Sequence, residues 1–510
     1  MSASTIFICL LVYFIVLMGI SWLTGRINTN DSFFLANRKS PWYLIAFGMI
    51  GSSISGVTFI SVPGAVGTDS FCYFQLVLGL MVGYWIIGWV LLPMYYRLQL
   101  TSIYTYLKER FGFYGYKTGA SFFLLSRIIG AAFRLYVAVE VLQLEFGNFG
   151  IPFLATASGM VALIWLYTRK GGMKTIIWTD ALQTTFLVGA LIGTIYLICQ
   201  SQHYSISGLI ASIQSSPHSQ IFFWDFKGPQ AFIKQFASGI FIAIAMTGLD
   251  QDMMQKNLTC KSIGEAQKNI FSFSIVYAIV VFMFLVLGSL LYTFVATNHI
   301  PFDAAKPDDL YPTLALHSAF GTTIAFLFVM GLIAASFASA DSALTALTTS
   351  FCVDILNISA KPQPLQVKLR KYIHMLMAIS LIVVMVIYKV IDNPSIIKAV
   401  YKVAGYTYGP LLGLYAFGML TKINTNDKWI PAICIVSPII CFVINNYSEQ
   451  LFSGYKFGFE MLIINALLTF IGLLAFSKFT PRAANGGGNN ANSRNPFIIG
   501  VDLSQHTKSI

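Results

Sequence analysis

The chain has 510 residues, of which 56% are hydrophobic and only 10% charged, and its formal net charge is +12. Soluble domains carry about 25% charged residues, so this balance excludes an ordinary cytosolic enzyme and a disordered scaffold. The basic residues lie between apolar runs, where membrane orientation accounts for them and nucleic-acid binding does not.

A helix needs about 20 apolar residues to cross a hydrocarbon core of roughly 30 Å. In chain order such runs are Ala3 to Leu23, Trp42 to Pro63, Tyr73 to Tyr96, Thr118 to Leu144, Ile151 to Tyr167, Thr175 to Cys199, Phe232 to Asp250, Ile270 to Ala296, Thr322 to Asp354, Ile373 to Ile391, Ile396 to Leu420, Trp429 to Asn446 and Gly458 to Phe476. These thirteen spans predict an all-α polytopic membrane protein embedded in a lipid bilayer. The first run has no basic n-region and is too long for a signal h-region, so it reads as a retained helix. Most of the 32 lysines and arginines fall in alternate loops, beginning with Arg26, Arg38 and Lys39. That side is cytoplasmic, which puts the N-terminus outside and the C-terminus inside. Between the third and fourth spans, Thr101 to Gly112 mixes aromatic and charged residues at helical spacing and reads as an amphipathic segment on the cytoplasmic interface. The Gly/Asn-rich tail after Pro481 reads as disordered. Seven cysteines without a C-x-x-C pair supply neither a disulfide framework nor a thiolate metal site.

Polar residues inside spans are costly, so each is a candidate for function. The second span contains Gly51-Ser-Ser-Ile-Ser-Gly-Val-Thr58 followed by Pro63-Gly64. This composition weakens a helix, and an unwound helix offers carbonyls to a hard cation; close packing through small residues is the alternative. Arg127 and Arg134 are seven residues apart on one face of the fourth span. An arginine there can hold the carboxylate of a substrate or of the protein itself. Asp180 lies just inside the sixth span, where pairing with a basic residue is the plainer reading. In the ninth span, Ala335, Ser339 and Ser342 share one helical face, with Ala338, Asp341 and Thr345 on the neighbouring stripe. Small residues, hydroxyls and a carboxylate suit a dehydrated cation, against a structural Asp with a hydroxyl partner. No zinc, nucleophile-elbow, Walker or selectivity-filter motif is present, which argues against an intramembrane hydrolase or an ATP-driven pump.

Three longer pieces carry a resemblance: Gly171-Gly with Trp178-Thr-Asp-Ala-Leu-Gln183, Gly248-Leu-Asp-Gln-Asp-Met-Met-Gln255 followed by Lys261-Ser262, and Ala334-Ala-x4-Ala-Asp-Ser342. Gly409-Pro-Leu-Leu-Gly and Thr101 to Gly112 add weaker agreement. Together they resemble the solute:sodium symporter family. The resemblance implies a LeuT-like fold with two inverted five-helix repeats. Its boundaries are a leading helix and loop (1–41), first repeat (42–200), extracellular loop (201–228), second repeat (229–420), two trailing helices (421–480) and a tail (481–510). The second and seventh spans become equivalent, so broken helices are expected in both.

The resemblance also implies Na+ at a conserved site. The carbonyl positions fall on Gly51, Ile54 and Ala335, and the hydroxyl positions on Ala338 and Ser339. Ala338 departs from the pattern and leaves the site one hydroxyl short. A possible second sodium falls on Asp180, Asp341 and Ser342, with Asp341 replacing a hydroxyl. The family's sugar-contacting positions fall on Val57 and Thr58, which does not support galactose-like recognition. The substrate positions that follow are Ser53, Thr58, Arg134 and Tyr401, with Arg127 as the alternative to Arg134. Glu140 or Asp180 is its internal partner if neither arginine meets substrate. The expectation is a sodium-driven importer of a small polar solute in the cell (inner) membrane, not an enzyme, for which a monomer suffices. A transporter-like sensor or channel is the alternative.

Overall fold

A computed structural model describes residues 3–25, 30–226, 228–303, 306–316, 321–391, 396–452, 455 and 457–478. The tail after Pro481 lies outside the described residues. Each of the thirteen apolar runs coincides with a helix or a broken helix pair. Among the described residues, seven helices are long and apolar enough to cross a membrane, and nine spans result if each bent pair counts as one. The other four include the last, Met461–Ala475, whose 15 residues reach about 22 Å at 1.5 Å per residue, short of a ~30 Å core.

The two breaks fall in the second and seventh spans, where the resemblance leads broken helices to be expected. Trp42–Ser53 and Gly56–Asp69 meet at 60°, and Phe232–Gly248 meets Gln251–Asn257 at 72°. Around them the helices approach closely through glycine rather than by apolar burial, which drives little between helices in lipid. A β-carbon on Gly79 would run into the Phe236 carbonyl, and one on Gly239 into that of Leu76, so the third and seventh spans touch backbone to backbone.

The segment after the third span adds to the sequence expectation. Its apolar face is covered by protein: Ser102, Ile103, Tyr104, Tyr106 and Leu107 are fully buried, and only Lys108 and Glu109 are exposed within its helix, Thr105–Arg110. The cause is the seventh-span break, whose freed backbone groups need partners inside a membrane protein. Tyr104 Oη donates to the Leu249 carbonyl at 2.9 Å and Tyr95 Oη to that of Gly248 at 2.9 Å. Gln251 in turn bridges the Ile103 amide (3.0 Å) and the Thr101 carbonyl (2.9 Å). Beside this clamp Asp354 closes the lower end of the ninth span. It accepts from Ser102 (2.8 Å), Tyr116 (2.9 Å) and Ser350 (2.6 Å).

Candidate functional site

The second-span break brings polar backbone to the middle of the molecule. Ile54 leaves the helical region at φ −87°, ψ 86°, and Ser55 is extended. The last carbonyls of Trp42–Ser53 therefore lose the amide donors that a continuing helix would supply. Glycine is needed on both sides of the break: a β-carbon on Gly51 would overlap Thr184 of the sixth span, and one on Gly56 would overlap Ser336 of the ninth. The Gly51 amide donates to Thr184 Oγ1 at 3.0 Å.

The ninth span lies against this break, and every residue from Phe328 to Ser350 is buried. Ser339 donates its hydroxyl proton to the Ser336 carbonyl at 3.2 Å, leaving its oxygen lone pairs available. The hydroxyls of Ser53 and Ser336 are buried without a hydrogen-bond partner among the described residues. Backbone carbonyls and hydroxyl oxygens in a dry cradle fit a hard monovalent cation. Gly51, Ile54, Ala335 and Ser339 thus lie on two elements that pack together, and Ala338, next to Ser339 in the chain, offers no hydroxyl.

The residues of the possible second sodium site are also brought together, with an addition. Asp180 Oδ2 accepts from Lys256 Nζ at 2.7 Å and from Ser52 Oγ at 2.9 Å, and Lys256 also hydrogen-bonds Ser52. Asp341 Oδ2 accepts from Tyr167 Oη at 2.7 Å. Asp341 lies within electrostatic reach of both Asp180 and Lys256, and Ser342 lies alongside Asp180. All of these groups are buried, Lys256 at 1% exposure. Sequence reasoning missed this lysine. The seventh apolar run ends at Asp250, so by hydropathy the basic residue one position beyond the Gly248 to Gln255 motif reads as a loop charge.

The structure separates the two arginines. Arg127 contacts Asp252 directly and lies 3.7 Å from Asp250. Asp250 also accepts from Tyr408 and caps Gln251–Asn257 through the Asp252 amide (2.9 Å). Arg134 has no ion pair among the described residues. Its alternative partners are engaged elsewhere: Glu140 with Lys389 (2.8 and 3.0 Å) and Asp180 with Lys256. Arg134 instead lines a central cavity of about 60 Å³ together with Ser53, Tyr84, Thr247, Tyr277 and Tyr401. Thr58 is buried on the second segment of the broken span and is not among the residues lining this cavity. A wider cavity of about 380 Å³ shares Tyr401 and is bounded by Asp69, Tyr73, Gln230, Lys402 and Phe459. Where the two meet, the hydroxyls of Tyr73 and Tyr401 hydrogen-bond at 2.9 Å. Tyr73, Tyr84, Thr247 and Tyr277 gave no sequence signal, because in so aromatic a chain a tyrosine in a span is far more often surface or packing.

Comparisons with known proteins bear on this arrangement. A family model described as the sodium:solute symporter family matches residues 33–427. The sodium/sialic acid symporter NanT of Aliivibrio fischeri is 25% identical over 457 residues, covering 85% of this chain and 86% of the relative. The sodium/sialic acid symporter SiaT of Proteus mirabilis is 24% identical over 477 residues, covering 91% and 93%. The sodium/glucose cotransporter of Vibrio parahaemolyticus is 23% identical over 461 residues, covering 85% and 83%. Among solved structures, a Na+-coupled sialic acid symporter in a substrate-bound outward-open state shares the fold with a TM-score of 0.78 at 21% identity, over 93% of this chain and 98% of that one.

Proposed function

From the premise that this chain belongs to the sodium:solute symporter family, we propose that it imports a small carboxylated solute, a carboxylated sugar foremost, by alternating access driven by sodium. The chain is a transporter rather than an enzyme, and Na+ is its coupling ion. The observation that carries the finer reading is Arg134: a half-buried guanidinium that lines the central cavity and makes no ion pair among the described residues, while Glu140 and Asp180 are paired with lysines. An unpaired cation at such depth is costly unless a ligand neutralises it, and a carboxylate can do so with two parallel hydrogen bonds.

In this reading sodium is held by the carbonyls of Gly51, Ile54 and Ala335 and by the Ser339 hydroxyl, and it supplies the positive charge that draws the broken span onto the ninth. Ser53, which lines the central cavity, sits between two of those carbonyls, so ordering one site orders the other. A shared segment of this kind couples two ligands by making each favour the same conformation. The 60 Å³ cavity is well below the roughly 300 Å³ of a ligand pocket. Solute entry therefore requires the Tyr73–Tyr401 pair to part and join the two cavities. With thirteen crossings and the N-terminus outside, the wider cavity opens away from the cytoplasm, while the Asp354 network seals the opposite end. The relatives favour a bacterial inner membrane.

The test is uptake by the purified protein in liposomes, with sialic acid, glucuronate, glucose, proline and pantothenate compared under an inward sodium gradient. Carboxylated sugars should accumulate above equilibrium only with sodium. Equal uptake in sodium, potassium and choline would exclude sodium coupling, and flux without accumulation would identify a channel.

A further inference from the structure

The buried Lys256 ammonium pairs with the buried carboxylate of Asp180, and a second buried carboxylate, Asp341, lies within electrostatic reach of both. We propose that the Lys256 ammonium is a built-in cation standing where a second sodium would otherwise bind, so that each protein molecule holds a single sodium ion. The inference rests on the sodium-symport reading and specifies its stoichiometry.

The geometry comes first. Lys256 reaches Asp180 Oδ2 at 2.7 Å and shares Ser52 with it, so Oδ2 and the Ser52 hydroxyl, two of the oxygens that would ligate an ion there, already hold a positive charge. A sodium added there would have to sit beside an ammonium, and in a dry interior like charges at such range repel strongly. The lysine is also aimed. It belongs to the seven-residue segment Gln251–Asn257, whose direction is set by the 72° bend and by the Asp250 cap. Asn257 next to it is held too, accepting at Oδ1 from Asn269 at 2.8 Å.

Position then argues for one ion. Lys256 already answers the charge of Asp180, and the Asp341 carboxyl is met by the Tyr167 hydroxyl. The conserved site is adjacent along both elements: Ser52 follows Gly51, and Asp341 lies two residues beyond Ser339. With an ammonium already fixed beside it, a cation at the conserved site leaves no room for a further one in a dry interior where like charges repel strongly.

The test is equilibrium binding of 22Na+ to the purified, substrate-free protein, counting ions per molecule. Wild type should bind one ion. Lys256→Gln should bind two, since Asp180 Oδ2 and the Ser52 hydroxyl are released beside the Asp341 and Ser342 oxygens, and Lys256→Gln/Asp341→Ala should return to one. Lys256→Arg should stay at one, and Asp341→Ala alone should also bind one ion. Two ions in wild type would overturn the role of the lysine while leaving symport intact, as would one ion in a folded Lys256→Gln protein. If that variant does not fold, the wild-type and Lys256→Arg counts decide, and two ions in either would overturn the role of the lysine. No saturable sodium binding in wild type would overturn the symport reading itself.

Discussion

Replacing Arg134 by alanine separates a ligand-binding role from a structural one, because its neighbour Arg127 provides the contrast. Arg134 has no acid partner among the described residues and lines the central cavity, so its removal leaves no protein carboxylate orphaned. What is lost is a charge-assisted, two-pronged contact to the solute, on the order of 2 to 3 kcal/mol. At 1.4 kcal/mol per factor of ten, that weakens solute binding by roughly 30- to 150-fold. The assay is titration calorimetry or ligand-induced thermal shift with sialic acid at saturating sodium, beside the melting temperature without ligand. Arg134→Ala should lose affinity while melting close to wild type. Unchanged affinity would refute the reasoning, and so would a neutral sugar binding wild type more tightly than its carboxylated counterpart.

Other consequences follow from the same geometry. Arg127→Ala strips the partner from Asp252 and weakens the surroundings of Asp250, so it should destabilise the fold by about 3 to 5 kcal/mol, the cost of breaking a buried pair, read as lowered melting temperature or yield even without solute. Ser339→Ala should raise the sodium concentration for half-maximal transport severalfold, whereas Ala338→Ser, which supplies the missing hydroxyl, should lower it; sodium titrations of uptake measure both, and opposite signs would contradict the site. Gly51→Val should abolish folded protein, because its side chain would occupy the space of Thr184, and recovery of a normally melting, monodisperse protein would count against that packing.

The fold was largely legible because hydropathy is local: every apolar run became a helix, and the small residues around Ile54 announced the second-span break. The site was legible in part. Spacing placed Arg127 and Arg134 on one face but could not assign them, since the deciding acids lie more than a hundred residues away at Asp250 and Asp252. Lys256 was hidden for a related reason. A charged residue ends a hydropathy window, yet whether a lysine is solvated or buried depends on a carboxylate brought from elsewhere in the chain, here Asp180. The Thr101 to Gly112 segment shows the limit of periodicity, which identifies an apolar face without saying whether lipid or protein covers it. The broken seventh span needed donors, and Tyr104 was recruited inward.

That recruitment has a mechanical side. Tyr104 and Gln251 tie the segment to the bend at short hydrogen-bond distance, and Tyr95 fastens the same bend to the end of the third span. Sliding any one of them alone would expose unpaired carbonyls, so the three move as one rigid lever. Lys108 and Glu109 sit at its exposed tip. A tilt of the seventh helix would thereby be transmitted to a solvent-facing position, where a fluorophore on Glu109 would register it.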